Sequence, residues 1–377
     1  MNNIILFIVN DAGFFLSHRL PVAEAARAQG YNVQIATMAG SRVSEIHAQG
    51  FIHHTLPISR SGKKIFAEIF ACWAICRLLW KIKPRLLHLV TIKPVLYGGL
   101  AARLAPVGGV VSAVSGLGFV FMSNGRKAAL ARNVISMMYR LAFGKKNLRV
   151  IFQNPDDREV LLSVGALDKS KVKMIRGSGV NLAMYQALPE LSGLPVVCFA
   201  ARLLRDKGVY EYIEAVRLLH ECGVKAVFRL VGDPDPGNPT SITNDEIDKW
   251  REEGLMEVLG FHNDIASLFA ESHLVVLPSY REGLPKVLVE AAACGRAVVT
   301  TDVPGCRDAI DPDETGLLVP VKNVVALADA MRRLIEDGVL RRKMGAAGRA
   351  LAEREFAAEQ IAQQHLDIYA ELESNIG

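Results

Sequence analysis

Two carboxylates and two cations in the second half of the sequence have the types and spacing to hold a charged, hydroxyl-rich ligand. Glu282 and Glu290 have seven residues between them and bracket the run Gly283-Leu284-Pro285-Lys286. The apolar residues Leu274–Leu277 before them read as a buried parallel strand, and 286–294 as a helix whose first turn follows a proline. The stretch between is a strand-to-helix turn. Parallel sheets bind ligands at such turns, and the backbone N–H groups of 283–286 would face an anion. Carboxylates repel phosphate, so the partners expected for Glu282 and Glu290 are hydroxyls, those of a sugar and a ribose. Positive charge must then come from another loop, and Arg202 and Lys207 stand just after the strand-like run 195–201.

This set resembles a known family, the retaining nucleotide-sugar glycosyltransferases of family 4, whose two-domain α/β fold is called GT-B. The family pattern is a glutamate, seven residues and a second glutamate, preceded by an arginine and a lysine five apart after the first strand of the second domain. The sequence matches it as Glu282, Glu290, Arg202 and Lys207, and the resemblance covers nearly the whole chain. It implies two Rossmann-like domains facing a cleft: an acceptor-binding, membrane-facing domain over 1–185, a nucleotide-sugar domain over 186–355, and a C-terminal helix over 356–377 crossing back to the first domain. It implies that Arg202, Lys207 and the backbone of Gly283, Leu284, Pro285 and Lys286 hold the diphosphate. Glu282 would take donor-sugar hydroxyls, Glu290 the ribose diol, and Phe261 and His262 would lie against the base. Many relatives carry a histidine after the strand at 109–114. This chain has Ser115-Gly116-Leu117-Gly118-Phe119 there instead, and the Gly-Leu-Gly turn is similar to the branch that extends polyprenyl diphosphate-linked sugars.

At 377 residues, 50% hydrophobic and 22% charged, the chain has the length and composition of two ordinary domains without long disorder. Residues 1–188 hold 24 Lys and Arg against 8 Asp and Glu, a net of +16, whereas 189–377 hold 20 against 31, a net of −11. A basic half predicts an anionic partner. In 63–83, Phe66, Phe70, Trp73 and Trp80 are interleaved with Lys63, Lys64, Arg77, Lys81 and Lys83, and 124–146 is a second basic and apolar helical stretch. That mixture suits an anionic membrane surface; no aromatic, glycine-rich nucleic-acid module is present. The plainer alternative is a helix packed on the sheet with a solvated basic edge. The six cysteines form no Cys-x-x-Cys pair and read as buried thiols of a reducing compartment. No secretory signal is apparent, and the charge-free run 104–122 carries prolines and glycines that suit a strand and loop better than a membrane span. The expected location is peripheral, on the cytoplasmic face of the inner membrane.

The elements that must position these groups follow from periodicity. Strands are predicted at 3–10, 32–37, 86–90, 109–114, 149–153 and 171–175, then at 195–201, 226–231, 256–259, 274–277 and 297–301, with helix-length segments between them. This is the α/β pattern of two parallel sheets. Residues 11–15 read as the loop after the first strand, with Ser17 capping the next helix. Only Gly13 stands in that turn, where a dinucleotide fold needs Gly-x-Gly-x-x-Gly, which argues against NAD; Gly13 is carried as a donor-binding candidate. His18, beside Arg19, is the acceptor candidate, although a lone histidine at a helix start is more often a structural hydrogen-bonder. Residues 177–181 and 189–195 read as the interdomain hinge, and 323–338, 340–353 and 357–372 as helices.

The reaction implied by the resemblance is transfer of a hexose or N-acetylhexosamine, such as GalNAc or GlcNAc, from a UDP-sugar to a polyprenyl diphosphate-linked saccharide. GDP is the other donor nucleotide. Alternatives are a soluble acceptor, or a non-catalytic nucleotide-sugar or nucleic-acid binder. A glycosidase using Glu282 and Glu290 as acid and nucleophile would need carboxyls about 5–5.5 Å apart and has no use for phosphate-binding elements. Asp233-Pro234-Asp235 could be taken for a metal-binding pair, but its prolines mark a loop turn. Adjacent His53 and His54 lack a carboxylate at ligand spacing. Fixed cations supply what a metal would, so no metal or other cofactor is expected.

Overall fold

The computed structural model describes residues 3–59, 65–117 and 126–376, with the side chains of 126–131 left aside. Lys63, Lys64, Gly118 and Phe119 lie outside the described residues, as do the side chains of Arg126 and Lys127. In chain order the first half forms β1 (Ile4–Ile8), α1 (Ala12–His18), α2 (Leu20–Ala28), β2 (Asn32–Thr37), α3 (Val43–Ala48), β3 (Ile52–Thr55), α4 (Ile65–Ile82) and β4 (Leu86–Val90). It continues with α5 (Ile92–Ala101), β5 (Gly109–Val114), α6 (Arg126–Ala142), β6 (Leu148–Phe152), α7 (Pro155–Ser163) and β7 (Val172–Met174). The second half forms β8 (Val196–Ala200), α8 (Val209–Glu221), β9 (Val227–Val231), α9 (Asn244–Glu253), β10 (Glu257–Gly260), α10 (Ile265–Glu271), β11 (Leu274–Leu277) and α11 (Lys286–Ala293). It closes with β12 (Ala297–Thr301), β13 (Gly316–Val319), α12 (Val324–Glu336), α13 (Gly338–Leu351) and α14 (Ala358–Ser374).

Among the described residues the strands make two parallel sheets, in the orders β3-β2-β1-β4-β5-β6-β7 and β10-β9-β8-β11-β12-β13. Strand order reverses between β1 and β4 in one and between β8 and β11 in the other, and the loops leaving such neighbours diverge to open a crevice. Both faces of the first sheet are covered: Ile4, Leu6 and Ile8 enter one apolar cluster, Ile5 and Phe7 the other. Burial on two faces is why these strands appear in the sequence as unbroken apolar runs.

The chain divides into two compact units, Met1–Ser178 with Glu359–Gly377, and Gly179–Ala358. The expected boundary after 185 falls inside the second unit, because Val180 N donates to Phe356 O at 2.8 Å and Tyr185 is buried in that unit's core. α14 belongs to the first unit, as a helix crossing back should. Its Glu371 pairs with Arg149 at 2.7 Å and Lys173 at 2.9 Å, its Glu373 pairs with Arg85, and Tyr369 and Leu372 are buried on the sheet. The bases of the first half are therefore partly answered by acids from the chain's end. Residues 1–178 alone carry +16, and the four acids of 359–377 bring the unit to +12.

Several local expectations are corrected. Residues 12–15 are helical, not loop: the Asp11 carboxylate caps α1 by accepting from Phe14 N at 2.9 Å. Ser17 lies inside α1, where its hydroxyl donates to Gly13 O at 2.7 Å, and α2 starts at Leu20 with no side-chain cap. β3 and β13 had no prediction; β3 is the short run Ile-His-His-Thr, without apolar alternation. Cys222 is exposed and Cys72 and Cys76 half-buried, so only Cys198, Cys294 and Cys306 are the buried thiols expected. Of the basic stretch 124–146, Arg140 and Lys145 spend their donors on backbone carbonyls of Gly165, Val164 and Ala102, which ties them into the fold. No helix among the described residues is long and apolar enough to cross a membrane.

Candidate active site

The loop after β11 is held between the loops after β8, its neighbour at the switch point of the second sheet, and after β12, through backbone contacts that need two glycines. Tyr280 N donates to Asp206 O at 2.9 Å and Glu282 N to Pro304 O at 3.1 Å, which clamps the 278–285 loop from both sides. At Gly208 (φ 74°) a Cβ would fall 2.2 Å from Pro278 O, and at Gly305 (φ 82°) 2.5 Å from Glu282 O. Each residue is both left-handed and pressed on backbone, so only glycine fits.

The clamp sets Lys207 beside Glu282. The Glu282 Oε1 accepts from Lys207 Nζ and, at 2.7 Å, from Ser279 Oγ. Immediately after it α11 begins, with Pro285 as N-cap and no side-chain cap bond. First-turn N–H groups have no partner inside their own helix and carry the positive end of its dipole. A cation from the loop after β8 thus stands beside the loop that starts α11, an arrangement suited to an anion. One turn further on, Glu290 is 6% exposed and accepts from Tyr185 OH at 2.6 Å and Lys286 Nζ at 2.8 Å. Burial and then the Glu290 charge push the Tyr185 hydroxyl far above its ordinary range. It therefore stays a proton donor to the carboxylate.

Lys207, Glu282, Gly283, Lys286 and Glu290 are brought together, but Arg202 turns elsewhere. Its Nη1 meets Asp235 Oδ2 at 2.6 Å, so the pairing expected on one anion is replaced by a bond to the loop after β9. Asp233 in the same loop accepts from Phe261 N at 3.0 Å. Both carboxylates of Asp233-Pro234-Asp235 thus serve loop geometry. Phe261 is 67% exposed, and His262 Nδ1 lies 3.1 Å from Asp264 O. A second Asp-x-Asp, Asp311-Pro312-Asp313, went unremarked; Asp311 faces Arg354 at 3.3 Å. Among the described residues no three His, Cys, Asp or Glu gather closely enough to hold a metal ion.

In the first unit Gly13 sits at the start of α1 between Asp11 and Arg42, whose atoms would be 3.2 and 3.3 Å from an added Cβ. His18 is half-buried, stacks on Phe14 at 4.0 Å and places Nδ1 2.7 Å from Ser17 Oγ. Arg19 does not fit the acceptor role expected of it: it is 1% exposed, its Nη1 donates to His18 O at 2.8 Å, and burial lowers its pKa to about 10. It packs with His88, His365 and Tyr369 of the core.

Sequence reasoning missed Tyr185, Ser279 and Gly305, and placed Asp235 in a loop turn without its partner Arg202. Only Gly305 left a signal, in the Thr301-Asp302-Val303-Pro304-Gly305 turn that follows an apolar strand as the Glu282 loop does.

Residues 4–154 match the family described as Glycosyl transferase 4-like, and 185–351 match Glycosyl transferases group 1. The N,N'-diacetylbacillosaminyl-diphospho-undecaprenol alpha-1,3-N-acetylgalactosaminyltransferase of Campylobacter jejuni is 28% identical, over 98% of this chain and 99% of its own. The UDP-Gal:alpha-D-GlcNAc-diphosphoundecaprenol alpha-1,3-galactosyltransferase of Escherichia coli is 27% identical over 71% of this chain and 70% of its own. The crystal structure of Anabaena HepE in complex with UDP and glucose has a TM-score of 0.77 at 19% identity, covering 98% of this chain and 99% of that one, which speaks to the fold.

Proposed function

Because the chain belongs to the family 4 glycosyltransferases of GT-B fold, we propose that it is a retaining enzyme moving a hexose or N-acetylhexosamine from a UDP-sugar to a polyprenyl diphosphate-linked saccharide, in surface-polysaccharide or glycan assembly. The observation that carries this is Lys207, from the loop after β8, bonded to Glu282 on the loop that leads into the uncapped start of α11. Breaking the anomeric C–O bond leaves negative charge on the departing UDP and positive charge on the sugar, so a preset cation and N–H dipoles at the diphosphate lower the barrier. The incoming diphosphate draws Lys207 from Glu282, and the Glu282 carboxylate released from it takes donor-sugar hydroxyls. Glu290, held by Tyr185 and Lys286, takes the ribose diol. Both glutamates then bind rather than act as an acid/base pair, and the leaving phosphate takes the acceptor proton on the same face. Phe261 and His262 are assigned to the base, Gly13 to the donor and His18 to the acceptor. No metal takes part; activity is expected to survive excess chelator, and its complete loss would refute that.

The lipid acceptor is favoured over a soluble one by α4. It buries Ala71, Ile75, Leu79 and Ile82 and turns Phe66, 87% exposed, with Ile69, Phe70, Trp73 and Trp80 outward beside Arg77 and Lys81. An exposed apolar patch of this kind marks an interaction surface, and aromatic rings among bases suit the headgroup region of an acidic bilayer. The proposed location is the cytoplasmic face of the inner membrane. The test is purified protein with a panel of UDP- and GDP-sugars, with and without polyprenyl diphosphate saccharides, and the product anomer read by NMR. Transfer from one UDP-sugar to the lipid acceptor with the anomeric configuration kept is the expected result. Inversion, or transfer to none of the lipid acceptors, would sink the reading.

A further inference from the structure

Between α4 and the outer edge of the first sheet runs an open groove of about 670 Å³. One wall is Met38, Leu56 and Ile58, at the ends of β2 and β3; the other is Phe70, Trp73 and Leu78 of α4. It exists because β3 is a four-residue edge strand, and because α4 turns its buried line, Ala71, Ile75 and Leu79, into the core, so that its flank at Ala74 and Leu78 is left uncovered. Its volume is that of a small-molecule site, roughly 300–1,000 Å³. Arg77 and Lys81, one helical turn apart on one side of α4, complete the lining, which includes no Asp or Glu. The guanidinium of Arg77 lies 5.7 Å over the Trp73 ring. An apolar trough ending in two uncompensated cations is complementary to an apolar chain that ends in phosphate. One turn toward the start of α4, exposed Phe66 and Ile69 continue the apolar face beyond the groove.

We propose that this groove takes the first isoprene units of the acceptor's polyprenyl chain, with its phosphate end on Arg77 and Lys81. This rests on the acceptor class proposed above and adds that the enzyme reads the lipid as well as the sugar. Aromatic walls at Phe70 and Trp73 present polarisable faces to the chain's double bonds. A saturated acyl chain offers only hydrocarbon.

The experiment uses two acceptors with the same sugar and diphosphate, one on a long polyprenyl chain and one on a short chain without isoprene units, a methyl group. Ala74→Trp fills the groove. It is expected to raise KM for the long-chain acceptor about tenfold or more, while KM for the UDP-sugar and for the short-chain acceptor shift less than about twofold. Equal effects on both acceptors, or none, would overturn the proposal. A parallel fall in binding of the variant to acidic phospholipid vesicles would also overturn it, since the groove would then hold an ordinary acyl chain. Should wild-type protein transfer sugar to neither acceptor, the proposed function fails, and the groove is judged by direct titration. Trp73 emission, read against Trp73→Phe, should change on adding geranylgeranyl phosphate and not hexadecyl phosphate; no change, or the same change with both, removes the groove proposal by itself.

Discussion

At the scale of single residues, the site works through pairs. Lys207 is neutralised by Glu282 until a ligand competes, so each holds the other in place, and Ser279 fixes the carboxylate. Lys207→Ala and Glu282→Ala are each expected to lower kcat by on the order of a hundredfold, as loss of a preset electrostatic contact does; wild-type turnover in both would remove them from the chemistry. Tyr185→Phe is a subtler change. It leaves the buried Glu290 carboxylate with one donor fewer, at a cost of about 1–3 kcal/mol in stability. The expected signature is a lower Tm and a several-fold higher KM for the donor with kcat nearly intact, because Tyr185 positions Glu290 and touches no reacting atom. The Glu282 and Glu290 pair was legible in the sequence, but Tyr185, which lies 105 positions from Glu290, was not. Partnership across such a separation leaves no local pattern.

At the scale of elements, two turns and one helix decide the architecture. Gly208→Ala puts a methyl group into Pro278 O at a left-handed residue, whereas Gly254 (φ 65°) has open space around it. Gly254→Ala is expected to cost about 1 kcal/mol or less, the backbone penalty alone. Gly208→Ala should also displace the 278–285 loop and cut kcat/KM by at least tenfold. Comparing the two variants by kinetics and thermal melts separates strain from clash. α14 docks through a buried group in which His88 Nδ1 lies 2.5 Å from Tyr369 OH and His365 lies beside Arg19. Burial, then the Arg19 charge, lowers the His365 pKa to about 3; burial likewise lowers that of His88, with His365 and Arg19 adding to it. The unfolded chain titrates these groups near 6.5, so between about pH 3 and 6.5 it binds more protons than the folded one. Stability from their neutrality is full above pH 6.5 and is lost as pH falls below it. Amide protection factors in α14, which divide out the intrinsic pH dependence of exchange, should therefore fall from pH 6.5 to 4.5, and His365→Leu should flatten that dependence; an unchanged slope would refute the assignment.

At the scale of the whole molecule, charge and apolar surface act together. The first unit carries +12 even with α14 counted, and its exposed apolar side chains include Phe66, Ile69, Phe70 and Trp73. Membrane attraction through charge is screened at a Debye length of about 8 Å in physiological salt, whereas apolar insertion is not. Phe66→Ser with Ile69→Ser is expected to weaken binding to acidic vesicles at least tenfold at any salt concentration, measured by co-sedimentation. Retained binding would defeat the membrane reading.

The sequence by itself determined the two parallel sheets, the position of the strand-to-helix turns proposed to bind the donor and the residue types at them. These rest on local signals: apolar runs buried on two faces, a proline opening a helix, glutamates at a set spacing. The helix over 357–372 was also visible from its own periodicity. Tertiary structure alone decided which charge meets which. Lys207 and Glu282 lie 75 positions apart, and Arg202 and Asp235 are 33 apart. The first pair meets only because Gly208 and Gly305 let backbones approach closer than any side chain allows. Likewise the first unit's claim on the last helix depends on acids at 371 and 373 finding bases on β6 and just before β4, 222 and 288 residues earlier. Composition records those charges but not their pairing, because pairing is set by where the chain returns in space.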